Sequence, residues 1–152
     1  AVTGVQTCAL PISMHGRDTV RVNSDVAAGV VMTIPDFPYS TMTKKEVSGY
    51  PVYGWEKIPS RHFHPAEMMM GEVWQLRDGA LVKESGFVTA GDYVCVVTGS
   101  GSTVSDAKEA AYKYLDRVEL PNSPMYRTDI GCRLEEQLPV LQSHGFCEEW
   151  KY

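Results

Sequence analysis

The sequence predicts an α+β fold: an antiparallel β-sheet with one main amphipathic helix packed on it and a short C-terminal helix. Three observations predict it. Asp78-Gly79 stands between apolar flanks and signals a hairpin, because both central positions of a type I′ turn need positive φ. Tyr93-Val94-Cys95-Val96-Val97 has the length and β-branched content of a buried strand. Val104, Ala107, Ala111, Tyr114, Leu115 and Val118 fall on one helical stripe, with charged residues on the other.

The elements follow in order. Residues 1–13 have no helical or strand period, resemble a translated sequencing adapter, and are read as a non-native tail outside the fold. The chain does not open on methionine, so a truncated gene fragment is expected. Residues 19–22 are an expected edge strand, and residues 28–34 a buried one. Proline, glycine, serine and tyrosine then dominate to about Arg61, predicting loops, with a candidate strand at residues 51–55. Strand text resumes at Met68, and Met68, Met69 and Met70 are expected as core filler. The hairpin returns through Val82 to Val88, and Gly91-Asp92 turns the chain into the Tyr93 strand, giving an antiparallel meander.

Gly99 and Gly101 are expected to form a tight turn before the helix. Thr103 is a suitable N-cap, with Asp106 three residues on. The helix is expected over residues 104–117, and Pro121 and Pro124 open the loop after it. A short helix is expected over residues 133–138, interrupted at Pro139 and continued to Ser143, with Gly145 as C-cap. Residues 148–152 are expected to fray.

Composition excludes several functions. The chain has 152 residues, enough for one domain with a sizeable core. A net charge of -5 argues against a nucleic-acid surface, which needs a basic face. No apolar run approaches the length of a membrane span. Cys8, Cys95, Cys132 and Cys147 form no Cys-x-x-Cys pair, which argues against zinc and for a reducing, cytoplasmic setting. Cys95 falls in the buried run and is expected to be inert.

Candidate chemistry is sparse. Gly99, Ser100 and Gly101 precede a helix N-terminus, where free amides and the helix dipole can hold a phosphate. A tight turn with a capped helix explains the same residues. No lysine follows at P-loop spacing. Arg127 lies in a proline-bounded loop and can grip a phosphate or carboxylate with two hydrogen bonds. A structural ion pair with Asp129 or Asp116 is its alternative. His62 and His64, with Glu67 nearby, could face a metal, but a polar loop leading into a strand is the preferred reading and no metal is expected. No catalytic triad and no carboxylate pair for acid–base work stands out.

The order strand, glycines, amphipathic helix, loop and Tyr126-Arg127-Thr128-Asp129-Ile130-Gly131 resembles the C-terminal domain of phosphoribosylamine–glycine ligase, an ATP-grasp family. Thr128 stands where that family often has lysine. Gly29-Val30-Val31-Met32 is similar to the segment by which the family passes from the ATP-grasp core into that domain. The resemblance divides the chain into the tail at 1–13, the end of the ATP-grasp core with connecting strands at 14–65, and the C-terminal-like domain at 66–147. It implies ATP-dependent joining of glycine to phosphoribosylamine in purine synthesis, with this domain closing the substrate side of the cleft. It implies ATP and Mg²⁺ in the parent enzyme and no cofactor in this chain. The implied partners are a phosphorylated small molecule and the missing ATP-grasp domains, without which the isolated chain is expected to be inactive. Arg127, Asp129, Gly99, Ser100 and Gly101 are the expected substrate-binding residues. A stand-alone module binding a phosphorylated small molecule, and a structural or assembly domain, are the competing readings.

Overall fold

The computed structural model describes residues 24–39, 41–121 and 124–148. The expected tail at 1–13, the edge strand at 19–22 and all but the first residue of the fraying terminus lie outside them.

The chain is built around β5, Tyr93–Gly101. Its Val94, Cys95 and Val97 are buried, as suits β-branched and small side chains in a central strand covered on both faces. β1, Val26–Thr33, pairs antiparallel along one edge of β5, with Val30 opposite Val97. β2, Phe63–Pro65, pairs along the other edge, giving the order β1-β5-β2. β3, Met68–Arg77, and β4, Ala80–Thr89, form a separate two-stranded sheet. Their turn has φ of 50° at Asp78 and 81° at Gly79, the positive pair expected from the sequence.

Helix α1, Lys44–Val47, and two single 3₁₀ turns, Trp55–Lys57 and Ser60–His62, punctuate the stretch between β1 and β2. Helix α2, Val104–Leu115, lies across β5 and β1. Thr103 caps it by accepting a hydrogen bond from the Asp106 amide at 3.0 Å. Its apolar stripe is buried at Val104, Ala107, Ala111 and Leu115. Helix α3, Cys132–Ser143, packs Leu138 into a cluster with Val26, Val104 and Ala107. The Lys108 ammonium reaches Glu135 at 2.8 Å and ties α2 to α3.

Four expectations are corrected. Gly99 and Gly101 make no turn; they are the last residues of β5. Their reason is proximity, since a Cβ on Gly99 would sit 2.2 Å from the Ala111 nitrogen and 2.3 Å from the Ala107 carbonyl oxygen. The strands make two sheets instead of one meander, because the end of β4 bonds to the Tyr50–Pro51 stretch. Thr89 there is buried, its hydroxyl donating to the Val47 carbonyl at 2.6 Å and accepting from the Tyr50 amide at 3.1 Å. Met69 and Met70 are 47% and 61% exposed, and only Met68 packs against the core. α3 runs through Pro139 without a break, held in place by the fully buried Leu138 beside it. The stretch 51–55 supplies two isolated bridges, Pro51 to Val88 and Tyr53 to Glu119, before the first 3₁₀ turn. Among the described residues no helix is long and apolar enough to cross a membrane.

Candidate functional site

The loop after α2 is fixed to the sheet and to the helix. Met125 makes a strand-like bridge with the free edge of β1: each amide of Thr33 and Met125 donates to the other's carbonyl at 2.8 Å. The Thr33 hydroxyl adds a third bond to the Met125 carbonyl at 3.1 Å. Tyr112, on α2, secures the next turn of the loop. Its hydroxyl donates to the Arg127 carbonyl at 2.8 Å and accepts from the Ile130 amide at 3.0 Å. Gly131, with φ of 86°, then turns the chain into α3.

Within this loop Arg127 and Asp129 form a fork. Arg127 Nε donates to Asp129 Oδ1 at 2.8 Å, and Arg127 Nη2 donates to Asp129 Oδ2. The hydrogen bonds hold the Asp129 carboxyl below the usual carboxylate range and raise the guanidinium further. Both side chains are exposed, so the pair contributes little to stability. It does fix the direction of the guanidinium. Nη1 makes no hydrogen bond among the described residues and is available to an anion.

Beside Arg127 opens a cavity of about 540 Å³ between β1, the turn at Phe37-Pro38 and the loop. Its walls include Val31, Phe37, Tyr93 and Tyr126, and Phe37 and Tyr93 are tilted rings with centroids 5.7 Å apart. Sequence reasoning named Arg127 and Asp129 but missed this wall. Tyr93 and Tyr126 lay in the stretch it weighted most; the pairing of Thr33 with Tyr93 brings Tyr93 to Phe37, and the Thr33–Met125 bridge adds Tyr126.

The glycine segment is elsewhere. Gly99 is buried beneath α2, Ser100 is exposed, and Gly101 sits under Asp106 and Ala107. None of the three lines the cavity that Arg127 lines. At the start of α2 the Asp106 carboxylate already accepts from the Ser102 hydroxyl at 3.1 Å. His62 and His64 converge on one hydroxyl: His62 Nδ1 lies 3.3 Å and His64 Nε2 3.1 Å from Thr98 Oγ1. The buried His62 ring stacks on Tyr114 and takes a hydrogen bond from Arg61 at 3.0 Å. Burial lowers its pKa, and Arg61 and His64 lower it further. No three His, Cys, Asp or Glu side chains gather to hold a metal among the described residues. Cys95 is buried, and burial pushes its thiol up to about 12, which makes it unreactive.

Fold and site define an α+β domain whose helix-covered sheet carries an arginine-rimmed, largely apolar cavity. No family model matches the chain. Part of it is similar to a named enzyme. It is 44% identical over 61 residues to phosphoribosylamine–glycine ligase of Corynebacterium ammoniagenes, covering 40% of this chain and 14% of that protein. It is 46% identical over 55 residues to phosphoribosylamine–glycine ligase of Rhizobium meliloti (strain 1021), covering 36% of this chain and 13% of that protein. The chain thus matches only a small part of the length of these curated relatives.

Proposed function

We propose that the chain is the C-terminal part of a phosphoribosylamine–glycine ligase, and that it closes the substrate side of that enzyme's cleft. The observation that carries this reading is the 44% identity over 61 residues to a protein of that name. In this reading the reaction joins glycine to phosphoribosylamine at the expense of ATP, in purine synthesis in the cytoplasm. Cys95, Cys132 and Cys147 are free thiols, which suits a reducing compartment.

The described residues do not fit a site for ATP and Mg²⁺. Gly99 and Gly101 are packed under α2, and no carboxylate cluster is available. In this reading ATP and Mg²⁺ are bound by other parts of such an enzyme, and no catalytic step is assigned to this chain. Its own contribution is Arg127, aimed by Asp129 and offering Nη1 to a substrate phosphate or carboxylate.

Calorimetry with ribose 5-phosphate tests this role. A charge-assisted hydrogen bond is worth roughly 1.5–3 kcal/mol, so Arg127→Ala should weaken binding about ten- to hundredfold. Arg127→Lys should recover part of the loss, because lysine lacks the planar fork. The melting temperature should hardly move in either variant, since both groups are exposed. A clear drop in melting temperature with affinity intact would make the fork purely structural. Saturable micromolar ATP binding by the chain alone would overturn the assignment of ATP to other domains.

A further inference from the structure

We infer that the cavity beside Arg127 is a binding site for a planar aromatic carboxylate, seated against Phe37, Tyr93 and Tyr126 with its acid group on Arg127 Nη1. The inference deepens the ligase reading in one respect only, the anion on Arg127. The apolar body of the ligand is required by the walls and by nothing in that reading, since glycine and a ribose phosphate have none.

The walls are the first argument. The cavity has about 540 Å³, within the range of small-molecule sites. Its floor is the Thr33–Met125 bridge, in which both amides, both carbonyls and the Thr33 hydroxyl are already hydrogen-bonded. The floor therefore presents carbon to a ligand. Phe37 and Tyr93 stand at an interplanar angle of 56°, which leaves ring faces and edges for a flat guest to meet.

Charge is the second argument. Among the described residues lining the cavity, Arg127 alone carries a formal charge. Two of its guanidinium nitrogens hold Asp129, which favours one direction for the group. Tyr112 holds its backbone carbonyl. A cationic residue beside an apolar cavity selects a guest with one apolar body and one acid group. A carboxylate carries less charge than a phosphate and so costs less to seat beside the apolar walls.

The experiment uses the chain as it is, with 1-naphthoate, its neutral analogue 1-naphthamide, and acetate. Binding is read by backbone amide shifts in two-dimensional NMR. A ligand of this size binds with a Kd on the order of 0.1–1 mM. Naphthoate should shift Val31, Tyr93, Tyr126 and Arg127 saturably, and naphthamide should bind about tenfold or more weakly. Acetate should give no saturable shift. Arg127→Gln should reduce naphthoate to the affinity of naphthamide and leave naphthamide unchanged. Val31→Phe, which fills the cavity, should abolish both; if it does not fold, Arg127→Gln still decides, because that side chain is exposed. The inference is overturned if naphthoate causes no saturable shift up to about 10 mM. It is equally overturned if the shifts map to Trp74 and Leu76 on the hairpin, or if Arg127→Gln binds naphthoate as the parent does. Failure of naphthoate with retained ribose 5-phosphate binding would remove this inference and leave the ligase reading standing.

Discussion

β5 and the β3–β4 hairpin are made of similar material and meet opposite fates. Both are antiparallel, and their strands are nine and ten residues long. In β5, Val94, Cys95 and Val97 are sealed from solvent by α2 and by the loops of the opposite face. On the hairpin, Trp74 is 57%, Leu76 70% and Leu81 68% exposed. Away from the buried Val73, Val88 and Thr89, the hairpin is held chiefly by itself. Gly71 and Gly86 leave room for Val88 and Val73 across the ribbon. Ion pairs join Glu72 to Lys83 and Arg77 to Glu84. The difference is what crosses each sheet. β-branched and aromatic residues make a strand in both places, but they make a core only where other elements pack on them.

The largest effect should come from Gly99→Val, because the new side chain collides with the α2 backbone and not with a side chain that can turn aside. A loss of about 3 kcal/mol or more is expected by urea unfolding, against about 1–3 kcal/mol for Gly71→Ala, whose new Cβ would sit 2.7 Å from a Val88 methyl. Equal losses would mean that the hairpin is as tightly constrained as the helix-covered strand.

Leu115→Ala should cost about 2–5 kcal/mol, since the residue is fully buried, whereas Leu81→Ala should stay within about 0.5 kcal/mol. A large loss at Leu81 would show that the hairpin face is covered in solution. Thr103→Ala removes the α2 cap and should cost about 1 kcal/mol.

The smallest effect is a pH dependence confined to the covered side. Burial, then Arg61 and His64, lower the His62 pKa below its ordinary 6.5. The unfolded chain therefore binds this proton at a higher pH than the folded chain does. The stability linked to His62 is present above about pH 6.5 and is lost as pH falls from there through the lowered folded value. The melting temperature should decline over that window, and His62→Gln should flatten the decline. An unchanged slope in the variant would assign the pH response to other groups.

The sequence made much of the frame legible. The Asp78-Gly79 turn, the Thr103 cap and the stripe on α2 are local signals, written in adjacent residues, and each appears where expected. The Arg127–Asp129 pair was legible for the same reason. The two-sheet topology was not, because it depends on Tyr50 and Pro51 meeting the end of β4 from far along the chain. Gly99 and Gly101 misled because glycine signals both a turn and a close approach, and only the position of α2 separates the two. Met69 and Met70 misled because apolar content shows what could be buried, not what has a partner. The aromatic wall was hidden because Phe37, Tyr93 and Tyr126 are far apart in sequence and line one cavity only in the folded chain.

The phenol of Tyr112 gives the loop a property that no single contact has. One oxygen is donor to Arg127 and acceptor for Ile130, so the two ends of the Arg127–Ile130 turn share a single post mounted on α2. Disturbance at either end is transmitted through the same atom. The Ile130 amide proton is therefore a built-in reporter: whatever pulls on the backbone of Arg127 should change the rate at which that distant proton exchanges with solvent.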